Sequence, residues 1–197
     1  MKNKMGDANK KGKKAIEDCL SQWQFSVEYI IQLETKGMGD AVLNFQKSNF
    51  FNSTKNTLLF WGDVPFVNKN TVKTLIKIHI SEGSCFSLPT VEVSNPYTLV
   101  ERDINENLLR ITETKGLNVK LPSFGERDIG VFLFDHKIVL ELLKLPNKNK
   151  FGHCENGEHG FLYVCELLRN SGYIIGAHKI ASKREAKSLN YLSDIER

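Results

Sequence analysis

A run of four apolar residues at positions 58–61 stops abruptly at a glycine, a carboxylate and a proline. Such a run, bounded by turn residues, is typical of a buried strand that stops at its C-terminal end. Asp63 then lies where the strand reaches the surface, and a carboxylate at such a position needs a partner. The stretch NTLLFWGDVPFV therefore predicts a strand of a packed sheet with a polar group at its carboxyl end.

The segments on either side of this strand alternate between helix and strand patterns. A short amphipathic helix is predicted over 13–23, then a strand over 25–32 and a glycine turn that runs into a helix over 37–48. The strand at 58–61 is followed by a third helix, which Asn70 or Thr71 would cap. Strand, helix, strand, helix is a parallel α/β pattern.

The second half of the chain is predicted to contain mostly strands. Four short β-like runs are joined by polar turns, and they are followed by a helix, a second helix over 157–172 and a last strand. The four runs are CFSLPTVEV, YTLVERD, NLLRITET and RDIGVFLF. No repeat or low-complexity linker separates these segments, so we predict one domain over 13–197 that follows a basic tail over 1–12.

Two predicted helices carry polar residues that need an interpretation. His79 lies on the helix after the opening strand, and we interpret it as a surface or core-edge residue. Glu158 and His159 lie at the predicted start of the helix over 157–172. An acid at that end is favoured by the helix dipole, so Glu158 is interpreted either as a capping residue or as a metal ligand.

Charge and composition exclude several classes of protein. The net charge of +4 is carried by six lysines within the first fourteen residues, and the remainder of the 197-residue chain is close to neutral. No basic nucleic-acid-binding face is therefore predicted, and the lysines form a solvated tail or a weak docking arm for acidic partners. No apolar run approaches the ~20 residues that cross a bilayer. We expect a cytoplasmic protein that binds neither nucleic acid nor membrane.

Polar residues and glycines follow two of the predicted strands. Gln32 and a turn with Gly37 follow one strand, and Gly62 with Asp63 follows the other. Ligands of open α/β sheets bind outside the carboxyl ends of strands, where glycines let backbone amides approach a phosphate and a carboxylate suits Mg2+. The same residues are equally well explained if Asp63 caps a turn and the glycines are ordinary turn residues.

Five motifs occur in an order and approximate spacing that carry a family resemblance. They are EYIIQLETKGMGDAVLNF, LLFWGDVPFV, LLRITETKG, ERDIGVFLFD and NGEHGFLYVCELL. With them the chain resembles the sugar-1-phosphate nucleotidyltransferases, above all the uridyltransferase domain of N-acetylglucosamine-1-phosphate uridyltransferases, over nearly all its length after about Lys13. The resemblance implies a Rossmann-like mixed α/β sheet. It also implies Mg2+-dependent transfer of a nucleotidyl group from an NTP, with UTP favoured, to a sugar 1-phosphate, with release of pyrophosphate.

The resemblance also implies roles on the nucleotide side of a site. Gln32 matches the glutamine that reads the nucleobase, and Gly37 matches the first glycine of the turn under that base. Met38 stands where the family usually has a threonine beside the base. Gly62 would lie against the nucleotide, and Asp63 matches the aspartate that holds Mg2+, which makes it the expected catalytic residue.

At the positions that bind the sugar in the family, one residue matches the family pattern and two differ from it. Glu113 matches the glutamate that binds the sugar. Thr98 stands where a glycine contacts the sugar, and Asp128 replaces a sugar-binding asparagine. These departures favour a relative with another sugar or nucleotide preference, or with weakened catalysis.

The family's second metal ligand and its phosphate-binding loop lack a clear match. The ligand, an asparagine in the family, falls on Cys154, whose thiol is a poor ligand for Mg2+, and a loop shift would substitute Asn156 or Glu158. The family begins with a strand and a GxGTRM-like loop that holds the triphosphate, whereas the early glycines here, Gly6 and Gly12, lie among lysines.

We therefore expect the chain to lack the first strand–loop–helix segment of the fold. A sheet without an inner strand exposes an apolar edge, which predicts a homodimer or a partner chain that covers it. The alternative function is a non-catalytic nucleotide-sugar-binding or regulatory subunit, or a truncated remnant of the enzyme.

Overall fold

The structure, a computed structural model, describes residues 3–22, 27–113, 122–145 and 158–189. None of the helices in these ranges is long and apolar enough to cross a bilayer. The helices are α1 (Asn3–Leu20), α2 (Met38–Leu43), α3 (Lys69–Glu82), α4 (His136–Lys144) and α5 (Val164–Asn170), and a 3-10 turn, Asn44–Lys47, extends α2. The strands are β1 (Asn56–Phe60), β2 (Phe86–Ser94), β3 (Thr98–Arg102), β4 (Leu108–Glu113), β5 (Phe124–Asp128), β6 (Val131–Asp135) and β7 (Ile175–His178).

The described strands form one large sheet and one hairpin. In the large sheet β1, β6, β2 and β5 are neighbours in that order, and β7 also pairs with β2. The start of β2 pairs with β6 and its later residues pair with β5, so β5 and β6 follow each other along β2. The β2–β7 pair is parallel, and the other pairs in the described ranges are antiparallel. The β3–β4 hairpin contacts β5.

The predicted parallel arrangement is wrong for the first half of the chain. Residues 27–32, the described part of the strand predicted over 25–32, form no strand, and β1 pairs antiparallel with β6. A strand needs a neighbour that completes its backbone hydrogen bonds, and residues 27–32 have none within the described ranges. The mixed α/β fold itself is confirmed, whereas the Rossmann-like strand order and the missing first segment remain predictions.

A bend at Gly130 divides the run RDIGVFLF into β5 and β6 instead of one strand. Gly130 has a φ of 75°, which glycine adopts at little cost. A Cβ on Gly130 would lie 2.8 Å from Trp61 Cδ1, and the Trp61 N–H donates to the Gly130 carbonyl at 2.9 Å. The bend therefore fixes the end of β1 beside the end of β5.

The starts of two helices differ from the predicted ones. Asn68, rather than Asn70 or Thr71, caps α3, because Asn68 is still extended and its side chain accepts a hydrogen bond from the Asn70 N–H at 2.8 Å. The predicted helix over 157–172 begins only at Val164. Glu158 therefore lies outside the helix, and the interpretation that it caps a helix start is wrong.

Phenylalanine side chains fill the main core. Phe86 of β2, Phe132 and Phe134 of β6, and Phe161 before α5 are at most 1% exposed, and their contacting rings have centroids 5.5–6.0 Å apart. Full burial of one such side chain stabilises a fold by roughly 1.5–3 kcal/mol. A smaller core around Leu75 lies under α3. These cores make the sheet a packed base for the segments at its edge.

The outer edge of β1 is the edge that matters for the predicted partner chain. Within the described ranges β1 pairs with β6 on one side only, and Phe60 at its end is 43% exposed. Unpaired strand edges favour association with another chain. The homodimer, or the partner chain over this edge, remains a prediction.

His79 is buried, so its interpretation as a surface or core-edge residue is wrong. Only 2% of His79 is exposed, because this face of α3 packs on β2, where the His79 Nδ1 lies 2.9 Å from Ser87 Oγ. Burial lowers the pKa of His79 below 6.5. The positive charges of Lys55 and protonated His178 lower this pKa further, and the carboxylates of Asp135 and Glu82 oppose them.

We expect the free energy of unfolding to fall as the pH drops below about 6.5, because the unfolded chain then binds a proton at His79 that the folded chain excludes. This contribution to the stability is fully present above the pKa of His79 in the unfolded chain. It is lost as the pH falls toward the lower pKa of His79 in the folded chain. The slope is about 1.4 kcal/mol per pH unit for each proton. Urea unfolding at several pH values should show a weaker pH dependence for His79→Gln, and equal slopes for both proteins would contradict this assignment.

Candidate functional site

A pocket of about 790 Å³ lies where the ends of β1, β4 and β5 meet the start of β3. It brings together six of the nine residues predicted to form a site: Met38, Gly62, Asp63, Thr98, Glu113 and Asp128. The other lining residues are Trp61, Tyr97, Glu158, His159, Gly160, Leu162 and Ser188. Segments that are far apart in sequence thus converge on one cavity.

Two of the remaining three predicted residues, Gln32 and Gly37, do not line this pocket. Gln32 lines an adjacent groove of about 310 Å³, which shares Trp61 with the pocket. The Gln32 Nε2 donates to Asp40 Oδ2 at 2.6 Å and to the Gly37 carbonyl at 3.3 Å. Asn156 lies outside the described residues, so its role as a metal ligand remains a prediction.

The Gly37 turn is bound to the segment before α5. The His159 N–H donates to the Lys36 carbonyl at 2.7 Å, and the Gly39 N–H donates to the His159 carbonyl at 2.8 Å. Gly37 has a φ of 97°, and a Cβ there would lie 2.5 Å from the His159 oxygen. Contact with the backbone of His159 thus accounts for glycine at this position and sets Met38 at the pocket edge. A role under a nucleobase is a separate prediction.

Asp63 stands at the pocket three residues beyond β1. It is half-buried, and its carbonyl accepts a hydrogen bond from the Leu189 N–H at 2.8 Å. Within the described part of the chain its carboxylate forms no hydrogen bond or ion pair. The turn-capping interpretation is therefore unsupported, and the carboxylate oxygens are accessible to a cation or to a ligand's hydrogen-bond donors.

Asp128 and Thr98 form a matched pair on the other side of the pocket. Asp128 is 1% exposed, its Oδ2 accepts a hydrogen bond from Thr98 Oγ1 at 2.5 Å, and its Oδ1 accepts one from the Gly130 N–H at 2.7 Å. A carboxylate can accept at both oxygens, whereas an asparagine has one acceptor. The two sequence departures therefore fit each other.

Glu113 ends β4 and faces the turn before α5. Its Oε1 accepts hydrogen bonds from the Leu162 N–H at 3.2 Å and the Phe161 N–H at 3.4 Å. Burial raises the pKa of Glu113, and the nearby carboxylates of Asp128 and Glu158 raise it further against these two hydrogen bonds. A ligand that brings hydrogen-bond donors or positive charge would relieve this repulsion.

The pocket is strongly acidic. Its described lining includes four carboxylates, those of Asp63, Glu113, Asp128 and Glu158, and no lysine or arginine. No group of three or more histidine, cysteine or acidic residues is arranged to hold a metal ion in the described ranges. Mg2+ commonly binds through one or two carboxylates and takes its other ligands from water and phosphate. Asp63 fits that mode of binding.

Three relatives of this chain carry the same name. No family model matches it. It is 33% identical over 166 residues to the bifunctional protein GlmU of Lactobacillus helveticus, covering 83% of the chain and 35% of the relative. It is 30% identical over 182 residues to GlmU of Lactobacillus johnsonii, and the match covers 91% of the chain and 38% of the relative. It is 34% identical over 155 residues to GlmU of Clostridium botulinum, and the match covers 77% of the chain and 32% of the relative.

This chain is related to the GlmU proteins. The resemblance expected from the five motifs is confirmed. The chain spans about a third of the length of the curated GlmU relatives it matches.

Two aromatic residues in the pocket were not predicted from the sequence. Trp61 packs edge-on against Phe132 and Phe161, and it borders both the pocket and the groove. Tyr97 lines the pocket immediately before Thr98. A usable signal existed in both cases, since each aromatic residue directly precedes a residue assigned to the site.

Substitution of Gly62 tests whether glycine is needed at this position for folding or for ligand binding. Nothing lies within 4 Å of a Cβ built there, so Gly62→Ala should change the free energy of unfolding by no more than about 0.5 kcal/mol. If a nucleotide approaches this backbone, we expect the Kd for Mg2+-UTP to rise at least about tenfold, or ~1.4 kcal/mol. Calorimetry measures the affinity, and Gly12→Ala, also with open space, is the control. Unchanged UTP affinity would remove Gly62 from the site.

Thr98→Val should reveal the pairing with Asp128. The variant keeps the shape of the side chain but removes the donor to a buried carboxylate, which should lower the free energy of unfolding by about 1–3 kcal/mol. In the Asp128→Asn background the same change should cost less, with a coupling of at least about 0.5 kcal/mol. Urea unfolding of the four proteins closes the cycle. Strictly additive effects would show that the pair is not an energetic unit.

Proposed function

We propose that this chain binds a sugar 1-phosphate and a nucleotide in the pocket and takes part in Mg2+-dependent transfer of a uridylyl group from UTP to the sugar 1-phosphate. The observation that carries the proposal is the convergence of six predicted residues, from five segments, on one cavity. The relation to GlmU supports the same reaction class.

Mg2+ is the proposed cofactor, and Asp63 is its first ligand. The accessible carboxylate of Asp63 and the oxygen-rich lining fit an ion that prefers oxygen donors. Asn156, outside the described residues, is the proposed second protein ligand. Bound Mg2+ supplies positive charge that offsets the negative charge of the phosphates.

Electrostatics supports this cofactor independently of the resemblance. Phosphate groups carry negative charge into a pocket whose described lining has four carboxylates and no lysine or arginine. Direct entry of a phosphate is therefore unfavourable unless a cation accompanies it. The pocket chemistry thus favours a metal–phosphate ligand over a bare phosphate.

The sugar would be held by the buried acceptors. Glu113 and Asp128 keep their oxygens fixed through backbone and Thr98 hydrogen bonds, so they can accept hydrogen bonds from sugar hydroxyls with little reorganisation. In the reaction, an oxygen of the sugar phosphate attacks the α-phosphorus of UTP. The bond from that phosphorus to the bridging oxygen breaks, and pyrophosphate leaves. The protein contributes positioning and charge stabilisation and forms no covalent bond.

The nucleotide would lie on the side of the Gly37 turn. Met38 lines the pocket there, and Gln32 lines the groove next to Trp61. A base that binds Gln32 must compete with Asp40 for the Gln32 amide, which is now 2.6 Å from Asp40 Oδ2. The preference for UTP rests on the resemblance at Gln32 alone.

A second candidate is a nucleotide-sugar-binding or regulatory subunit without turnover. The observation that favours it is the thiol of Cys154 at the position of the second metal ligand. Such a subunit would bind UDP-sugars through Glu113 and Asp128 without needing Mg2+.

Calorimetry with Mg2+, UTP and UDP-N-acetylglucosamine tests both candidates. For the wild type we expect UTP to bind at least about tenfold more tightly with Mg2+ than without it, a difference of ~1.4 kcal/mol. Asp63→Asn keeps the size of the side chain but removes its negative charge, so most of this difference should be lost, because an amide oxygen attracts Mg2+ less strongly than a carboxylate does. Asp18→Asn, an exposed change on α1 that removes the same charge, is the control.

The outcomes separate the two candidates. Metal-dependent UTP binding that is lost in Asp63→Asn supports the transferase and justifies an assay for released pyrophosphate. Binding of the UDP-sugar that needs neither Mg2+ nor Asp63 supports the subunit instead. Absence of binding by either nucleotide contradicts both.

A further inference from the structure

The outward side of α3 carries a stripe of lysines. The helix buries three residues at intervals of four: Thr71, Leu75 and His79. Lys69, Lys73 and Lys77 keep the same interval, shifted by two residues, which places them on the opposite side of the helix. All three lysines are exposed. Because an α-helix rises about 1.5 Å per residue, successive lysines lie about 6 Å apart along its axis.

A turn over 182–187 adjoins the start of α3 and adds three more exposed cations. They are Lys183, Arg184 and Lys187. The turn is attached to the helix start, because the Asn68 N–H donates to Glu185 Oε1 at 2.9 Å. The central carbon of the Arg184 guanidinium also lies 5.5 Å from the centroid of the Phe66 ring, just before α3. We call these six cations of α3 and the turn the basic surface.

Acidic side chains leave the basic surface without neutralisation in the described ranges. None of its six cations forms an ion pair with a described residue. The one acid of α3, Glu82, is its last residue. Glu185 in the turn is only 4% exposed, and its oxygens accept hydrogen bonds from the N–H groups of Asn68 and Ser182. The positive charges therefore face solvent and attract an anionic partner.

The chemistry of the face favours a partner with evenly spaced charges. Leu75 and Ile76 pack into the core under α3, so they are not available for insertion into a membrane. Within α3, all of which is described, Ile80 is the one exposed large apolar side chain, whereas protein interfaces depend on several apolar anchors. Lysines in a regular line suit the successive phosphates of a nucleic-acid strand. Asn70 and Thr74 are exposed between them and can donate hydrogen bonds to phosphate oxygens.

We infer that the basic surface binds the phosphate backbone of a nucleic acid independently of base sequence. Phosphate contacts hold and orient a strand but carry no sequence information. The inference goes beyond the proposed function, and it differs from the expectation drawn from the net charge. That expectation averages over the chain, whereas the fold gathers four carboxylates in the pocket and leaves the lysines of α3 exposed.

Fluorescence anisotropy of the full chain with labelled oligo(U) and a labelled DNA duplex, at about 50 to 200 mM salt, tests the inference. We expect both probes to bind, with an affinity that falls as the salt concentration rises. A triple variant with Lys69→Gln, Lys73→Gln and Lys77→Gln should bind oligo(U) at least about tenfold more weakly at the lowest salt. Because each phosphate contact of a single strand releases about 0.7 counterion, the plot of log affinity against log salt should become less steep by about 2.

Two further variants control for net charge and for folding. The charge-matched control changes three exposed lysines elsewhere: Lys14→Gln, Lys47→Gln and Lys137→Gln. It should weaken oligo(U) binding by less than about threefold, because charges beyond a Debye length are screened. Replacement of the three α3 lysines by arginine keeps the charge and should retain the wild-type affinity. The thermal midpoint should be the same in all these proteins, since the substituted side chains are exposed.

The outcomes decide whether the basic surface has this partner. A loss of affinity and of salt dependence that is confined to the glutamine variant of α3 supports the inference. Wild-type affinity in that variant overturns it, and so does an equal loss in the charge-matched control. Binding to phosphatidylserine vesicles or to polyglutamate, with no binding to either nucleic acid, also overturns it and assigns the surface to a membrane or an acidic protein.

Discussion

The contacts of Gly130 with its neighbours hold the two halves of the pocket at a fixed separation. The Gly130 N–H donates to Asp128, the Gly130 carbonyl accepts from Trp61, and the missing side chain leaves room for the Trp61 ring. One residue thereby joins the end of β5, which carries Asp128, to the end of β1, which leads to Asp63. The packed phenylalanines of β2 and β6 support this bend from below. A side chain at position 130 would push Trp61 away and separate the two carboxylates.

The same bend concentrates negative charge, and the fold stabilises it with dipoles rather than with ion pairs. Asp128 accepts hydrogen bonds from Thr98 and Gly130, and Glu113 accepts them from backbone amides before α5. Backbone amides neutralise only part of a carboxylate charge, which is why the pKa of Glu113 is still raised by burial and by its acidic neighbours. The negative charge of the pocket therefore favours the binding of cations or of ligands with hydroxyl donors.

The local pattern indicated only Gly62 and Asp63 of the pocket, because these two residues follow an apolar run at a strand end. Met38, Thr98, Glu113 and Asp128 were located through the family resemblance, and neither approach gave all the reasons for the identity of these residues. The glycine at position 37 is different, because it is required by the backbone of His159, more than a hundred residues away. The antiparallel β1–β6 pair and the burial of His79 also depend on tertiary contacts that a local pattern does not contain. Residues 27–32, which have no pairing partner within the described ranges, show the converse, since β propensity without a neighbouring strand gives no strand.

Trp61 and the His159 segment couple the two cavities. Trp61 borders both of them, and its ring packs on Phe132 and Phe161 of the main core. The backbone of His159 is bound to the Gly37 turn, while the amides two and three residues later bind Glu113. One short, hydrogen-bonded segment therefore contacts both the turn beside the groove and the carboxylate of Glu113. The position of the Gly37 turn and the backbone amides that bind Glu113 are thus set by the same stretch of chain.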